Sequence, residues 1–299
     1  MYRSDTISQY HATCGLPPPA HPLVSVVRFE DMRLDRSRRV KTLQNAFYLL
    51  GLKRDAGVLM RYGRRDYDFD RGLMFFTAPG QTYTIELAET ATTRGWAIMV
   101  HPDFLYGTPL AEGIHRYEYF GYAVHEALHL SAEEEGVIVA IIKNLRRELR
   151  GNLDAFSQDI FVAQLTGLLS YAERYYRRQF LTRKKENHAL IARLETAVRE
   201  YFLRGEAGRH GLPSVQEVAR QLAVSPGYLS EVLRTETGSG TQEYLHARLT
   251  EQAKAHLSAG GRSVSEVAYA LGFRHPQSFS KFFRGRTGQS PSAFRGERE

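Results

Sequence analysis

Cysteine is almost missing: Cys14 is the only one in 299 residues. One thiol cannot close an intrachain disulfide, so the fold must rest on its apolar cores, and a reducing compartment, the cytoplasm, is expected. Long apolar runs are missing as well. The longest aliphatic stretch, Val137 to Ile142, falls far short of the roughly 20 residues that a membrane-crossing helix requires. Met1 to Tyr10 has no apolar run of the signal-peptide kind. A membrane partner is therefore not expected. Histidine is absent between His21 and His101. A β-structured N-terminal half thus lacks the strand-borne histidine cluster that binds a catalytic metal, and neither metal nor cofactor is expected there.

What the chain does have is basic charge, unevenly placed. The net charge is +7. Residues 1–181 carry 22 basic and 21 acidic groups, whereas residues 188–299 carry 15 against 11. Between them, residues 182–187 place Arg183, Lys184 and Lys185 against Glu186. Within the last part, residues 260–299 carry 7 basic groups against 3 acidic, so the excess sits at the C-terminal end. A length near 300 with 42% apolar residues fits two domains with ordinary cores.

The same pattern occurs twice in the C-terminal third. Ser214, Val215, Glu217, Val218, Ala219 and Leu222 recur 49 positions later as Ser263, Val264, Glu266, Val267, Ala268 and Leu271. After a one-residue insertion, Ser230, Arg234, Thr237 and Gly238 recur 50 positions later as Ser280, Arg284, Thr287 and Gly288. In each copy a serine with a glutamate three residues on forms a capping box that starts a helix. The apolar residues fall on one helical face. Gly272 can supply the left-handed residue of a tight turn, where the first copy has Ala223. A second helix follows, anchored by Leu229, Val232 and Leu233 in one copy and by Phe279, Phe282 and Phe283 in the other. Two packing helices alone would satisfy one copy, but repetition of the whole pattern points to a double helix-turn-helix.

These residues resemble the DNA-binding domain of the AraC/XylS family of bacterial transcription regulators. The resemblance covers about residues 188 to 296. It is carried by Ser225-Pro-Gly-Tyr-Leu-Ser, Thr237-Gly, Tyr244-Leu, Arg248-Leu, Ala253-Lys, Glu266-Val-Ala, Leu271-Gly-Phe, Ser278-Phe-Ser-Lys-Phe-Phe-Arg, Gly288-Gln-Ser-Pro and Phe294-Arg. It implies seven helices in two subdomains joined by a long helix, about Gln242 to Ser258. It also implies two recognition helices entering major-groove faces roughly 34 Å apart on double-stranded DNA. The expected DNA-facing residues are Tyr228, Ser230, Glu231 and Arg234 in the first copy, and Arg274, Gln277, Ser278, Ser280, Lys281 and Arg284 in the second. The first copy departs from the family pattern, because Gly227 has no reach and Glu231 repels phosphate and accepts only from a cytosine amino group.

The N-terminal half reads as short strands, Val24–Phe29, Ala46–Leu52, Val58–Tyr62, Leu73–Phe76, Tyr83–Leu87 and Trp96–Val100, followed by two helices. The fold class is α+β: a small β-barrel with two helices at 1–181, a hinge at 182–187, and an all-α domain at 188–299. The resemblance makes the barrel cupin-like, sensing a small-molecule effector or only dimerising. Phe47, Tyr62, Phe75, Phe76, Tyr83 and Trp96 fit either a pocket lining or, more simply, a core; no effector-binding residue is assigned. Ser131 and Glu134 cap the first helix, with Ile138, Ile141, Ile142, Leu145 and Leu149 on one stripe. The second, about Leu153 to Phe180, sets Phe161, Leu165, Leu168, Ala172 and Tyr175 at heptad spacing, which fits packing against its own barrel or a homodimer seam, and is read as the seam. A rival reading comes from His125-Glu126-Ala-Leu-His129, a literal H-E-x-x-H, with Glu148 as a possible third ligand. It would make the chain a zinc hydrolase fused to a DNA-binding module. That chemistry needs the motif inside a helix, yet the capping box at Ser131 starts a new helix two residues later. The reading adopted is a non-enzymatic, sequence-specific transcription regulator, with RNA polymerase as a further partner if it activates.

Overall fold

Short strands interrupted by turns build the first half of the chain, and capped helices build the second. The computed structural model describes residues 2–33, 40–54, 72–86, 94–123, 126–151, 154, 156–182 and 184–296. The chain divides into two compact units, Met1–Thr182 and Arg183–Glu299. Its class is α+β, with all described strands in the first unit. Among the described residues, no helix is long and apolar enough to cross a membrane.

The first unit contains β1 (Tyr2–Ser4), α1 (Ile7–Thr13), β2 (Val24–Arg28), β3 (Val40–Asn45), β4 (Tyr48–Arg54), β5 (Leu73–Thr77), β6 (Thr82–Glu86) and β7 (Arg94–Val100). Two short helices follow, α2 (Pro102–Leu105) and α3 (Pro109–Gly113), then β8 (Leu128–His129), α4 (Ala132–Arg150) and α5 (Ser157–Thr182). The strands form two sheets, ordered β1-β3-β6 and β2-β7-β4-β5-β8. The first joins β1 to β3 in parallel and β3 to β6 antiparallel; the second is antiparallel throughout. Leu43 and Tyr83 from one sheet and Leu49, Phe75, Ala97 and Met99 from the other meet Ile7 and Tyr10 of α1 in one core. Both sheets therefore share a single interior, although the hydrogen-bond ladders of the described residues remain separate.

Most expected strands appear within two residues of their expected ends, while Val58–Tyr62, including Tyr62, lies outside the described residues. Strand β3 was not expected, and its inward side chains explain why. Lys41, Leu43 and Asn45 are all buried, so polar residues occupy two of the three inward places and blur the alternation. Phe47, Phe75, Phe76, Tyr83 and Trp96 are buried as well, in keeping with the core reading.

Helix α4 starts where its capping box requires. The Ser131 hydroxyl accepts from the Glu134 amide at 3.2 Å, and the Glu134 carboxylate accepts from the Ser131 amide at 2.9 Å. The reading of α5 as a dimer seam needs correction. Phe161, Leu165, Leu168 and Ala172 are each 0% exposed and Tyr175 is 7% exposed in a single copy of the chain. They pack inside their own unit: Phe161 meets Phe104 edge-on, and α5 lies along α4. One helix with a heptad-spaced stripe can satisfy its own core as well as a partner, and here its own core takes the stripe.

The second unit runs through α6 (Lys184–Leu203), α7 (Glu206–His210), α8 (Val215–Leu222), α9 (Pro226–Thr237), α10 (Thr241–Ser258), α11 (Val264–Ala270), α12 (Pro276–Thr287) and α13 (Pro291–Gly296). Among the described residues that is eight helical segments against the seven implied, the five-residue α7 being the addition. Residues 184–187, expected in the hinge, lie in the first turn of α6. Both repeated capping boxes form, at Ser214 with Glu217 and at Ser263 with Glu266.

The turn after each box is left-handed. Gly272 has φ +84°, and a Cβ there would stand 2.1 Å from the Ala207 carbonyl oxygen and 2.6 Å from the Gly211 Cα. Ala223 takes φ 57°, the only non-glycine residue with positive φ among those described. Left-handed backbone costs an alanine about 1–2 kcal/mol. Replacing Ala223 with glycine should therefore raise the stability of the second unit by about 0.5–1 kcal/mol once the extra freedom of the unfolded chain is deducted. Gly272→Ala should lose about 2–3 kcal/mol through overlap with the α7 backbone. Thermal unfolding of the two variants checks the pair; equal effects at both positions would contradict it.

A second expectation concerns acid. Backbone and side-chain hydrogen bonds from Ser214 and Ser263 hold the Glu217 and Glu266 carboxyls below the ordinary glutamate range. A depressed folded value contributes stability above the unfolded value, and that contribution fades as pH falls through the folded one. Glutamine at both positions keeps a side-chain acceptor without the titrating charge. The wild type should lose its advantage over the doubly substituted chain as pH drops below about 4, read as converging melting temperatures.

Candidate nucleic-acid interface

Each recognition helix is set by an apolar side and offers a polar one. On α9, Leu229, Val232 and Leu233 are buried. On α12, Phe279 and Phe283 are buried, and Phe282 joins Phe273 and Phe294 around the same core. Proline at the first turn of both helices fixes the entry angle, Pro226 and Pro276. The Ser225 hydroxyl caps α9 by accepting from the Tyr228 amide at 3.2 Å.

The 50-residue offset superposes Gln277 on Gly227, Ser278 on Tyr228, Ser280 on Ser230, Lys281 on Glu231 and Arg284 on Arg234. The two polar sides are not equivalent. Ser230 is half-buried and its hydroxyl lies 3.0 Å from that of Thr241, itself 1% exposed, so it braces α9 on α10. Glu231 forms an ion pair with Arg234 one turn on. The first helix thus keeps its main cation partly neutralised by its own acid, and Tyr228 is half-buried.

On the second helix Gln277, Ser278, Lys281 and Arg284 are exposed, as is Arg274 just before it, and Ser280 is half-buried. Among the described residues, none of the three cations Arg274, Lys281 and Arg284 has an ion pair. Three cations without an ion pair on one ridge and a single paired one on the other give the two helices different electrostatic reach.

Several residues that hold this arrangement carried no local sequence signal, because their partners lie some 30 to 50 residues away. Arg286 pairs with Glu243, donates to His246 Nδ1 at 2.7 Å and lies 5.9 Å over the Phe282 ring, clamping α12 to α10. Burial, and then the Arg286 charge, holds His246 below the ordinary histidine range, which keeps Nδ1 an acceptor. Arg248 donates to the Tyr244 hydroxyl at 3.1 Å and to Glu195 at 3.1 Å, fastening α10 to α6. Arg193 donates to the Leu222 carbonyl at 2.8 Å, occupying an open carbonyl at the end of α8. Asn187 Nδ2 donates to one Glu236 oxygen at 2.9 Å and the His188 ring meets the other at 3.1 Å.

The H-E-x-x-H stretch takes a different form from a zinc site. His129 lies in β8, paired with Leu73, not on a helix. Glu126 is buried, its carboxylate accepting from the Ala123 amide at 2.6 Å. His125 lies outside the described residues. Two ligands one helical turn apart require a helix through both, and the strand at Leu128–His129 does not supply it.

Residues 218–297 match a family model described as a helix-turn-helix domain. An uncharacterized HTH-type transcriptional regulator of Escherichia coli, YijO, is 38% identical over 80 residues, 27% of this chain and 28% of that protein. The Msm operon regulatory protein of Streptococcus mutans is 31% identical over 83 residues, 28% of this chain and 30% of that protein. The matched region thus spans less than a third of the length of these relatives. A solved transcriptional regulator of Chromobacterium violaceum, described as containing an AraC-type DNA-binding domain, is 22% identical over 29% of this chain and 77% of its own, with a TM-score of 0.28. The two capped helix pairs and the family match make residues 218–297 a helix-turn-helix domain.

Proposed function

We propose that the chain is a cytoplasmic, sequence-specific transcription regulator that reads double-stranded DNA with α9 and α12. The observation that carries this reading is the pair of recognition helices mounted on one helix, α10, with polar sides facing out and the basic excess on the second. Tyr228, Ser230, Glu231, Arg234, Arg274, Gln277, Ser278, Ser280, Lys281 and Arg284 are the contact set. Within it the second helix dominates. Gln277 suits bidentate bonding to adenine and Lys281 suits guanine acceptors, while Arg284, a turn further on, suits phosphate. Ser230 and the Glu231–Arg234 pair contribute mainly to the shape of the first helix.

In this reading the cupin-like first unit carries regulation, by a small-molecule effector or by pairing two copies, and RNA polymerase is the further partner of an activating complex. Catalysis has no part in it. The rival zinc hydrolase predicts stoichiometric zinc in the purified protein and hydrolysis lost on changing His125 and His129 to alanine. Pairing of two copies must use a surface other than the buried seam. Phe156, just before α5, is 68% exposed, and Ile160 and Tyr171, 42% and 37% exposed, fall on one stripe of α5 about a third of a turn from that seam.

Two measurements follow. Lys281→Ala and Gln277→Ala should each cost about 1–3 kcal/mol of operator binding and relax one base preference, whereas Arg284→Ala should weaken all sequences alike and reduce the salt slope by about one unit. Titrations at several salt concentrations on operator and scrambled duplexes give the answer; larger losses from Ser230→Ala and Glu231→Ala would reverse the assignment. Glutamate at both Ile160 and Tyr171 should yield folded monomers in sedimentation, since charge on an apolar contact stripe opposes association. An unchanged mass for a wild type that is dimeric would place the interface elsewhere.

A further inference from the structure

The first unit holds nearly balanced charge, 22 basic groups against 21 acidic over residues 1–181, yet one corner of it collects arginines that form no ion pair with any described acid. Arg28, the last residue of β2, stands directly across from Trp96 on β7. Ala97 and Met99 point into the shared core, so by strand alternation Trp96 points to the opposite side of the sheet. Helix α4 packs on β2 and brings its last turns to the same place. The Arg28 guanidinium lies 5.1 Å from the Trp96 ring centroid and the Arg146 guanidinium 5.2 Å from it. The two cations are therefore within about 10 Å of each other, close enough to repel appreciably. Burial, then the charges of Arg150 and Arg28, lowers the Arg146 pKa, and Asp31 alone works against them. Among the described residues, no carboxylate comes within ion-pair distance of Arg28, Arg146 or Arg150. Glu30, next to Asp31, spends an oxygen on the Gly95 amide at 3.1 Å.

Arginines in a last helical turn are ordinarily explained by the negative end of the helix. That accounts for Arg147 and Arg150. It does not account for Arg28, which arrives from a strand, or for two guanidiniums sharing one indole. A group of like charges held together by rigid elements is a standing cost that a bound dianion would relieve. A planar guanidinium offers paired N–H donors that match the oxygens of a phosphate group. We infer that the Arg28–Trp96–Arg146 corner, with Arg150 at its edge, is a binding site for the phosphate group of a small phosphorylated ligand. The site belongs to the first unit and does not depend on the DNA-binding reading of the second.

Trp96 is the only tryptophan in the chain, so its emission reports on this corner alone. In the experiment, pyrophosphate is titrated into the full-length protein with sodium chloride at matched ionic strength as reference. A saturable change in emission with pyrophosphate, absent with chloride, is the expected result. Arg146→Gln should raise the half-saturation concentration at least tenfold, and Arg28→Gln should also raise it. Arg146→Lys should recover only part, because the paired donors are lost. Near-ultraviolet dichroism confirms that each variant keeps its fold. A short duplex without an operator forms the second arm. An Arg146-dependent response to duplex that pyrophosphate cannot produce would overturn the small-ligand assignment and place the DNA backbone at this corner. A response equal to that of chloride, or one unchanged in the folded Arg146→Gln variant, would overturn the site itself.

Discussion

Eighteen residues of unbroken helix, Thr241–Ser258, hold the geometry of the second unit. At 1.5 Å per residue α10 is about 27 Å long, comparable to one turn of duplex. Its Thr241 end receives the first recognition helix through Ser230. Leu249, Ala253 and Leu257 receive the second through the aromatic core around Phe279 and Phe283. Glu243 and His246 add the Arg286 clamp. Ala253, 0% exposed, leaves space for close approach where a larger residue would push the helices apart. A bend or a frayed turn in α10 would move one reading surface relative to the other, and every contact made by both at once would suffer.

Around that helix the two copies of the motif have diverged in electrostatics more than in shape. Both keep the capping box, the left-handed turn and three buried apolar residues, Val218, Ala219 and Leu222 in one and Val267, Ala268 and Leu271 in the other. At one superposed position, however, a glutamate that neutralises its neighbouring arginine stands where the other copy has a lysine. The shape is conserved by packing, which tolerates little change in volume. The outward side chains carry no such constraint and can be specialised freely.

This difference also explains which parts of the chain were legible in sequence. The extent of α10 came, to within a residue, from the resemblance to a known family, whereas local features came through on their own: the capping boxes at Ser131, Ser214 and Ser263 and the turn at Gly272. Each rests on partners within a few positions. Ala223 adopting the glycine conformation was readable only because the repeat supplied Gly272 as its counterpart. Where polar side chains turn inward, as Lys41 and Asn45 do in β3, alternation failed. The stripe on α5 was visible, but its partner was not, since identical spacing serves a core and an interface equally well. Clamps such as Arg248 with Glu195, or Arg286 with Glu243, join residues distant in sequence and left no trace in spacing. The corner built on Arg28, Trp96 and Arg146 is of the same kind, assembled by a strand pair and a helix end.

The grip of Asn187 and His188 on Glu236 has a mechanical side. Glu236 occupies the last turn of the first recognition helix, and the two residues that hold it come within the first five positions of α6. Tension entering at the head of that helix therefore follows a short load path: through two hydrogen-bonded contacts onto one carboxylate, and from there along the axis of α9. Such a linkage transmits a pull for as long as its contacts last. The first recognition helix is thus tethered at the end away from its proline-capped start, like a lever held by its handle.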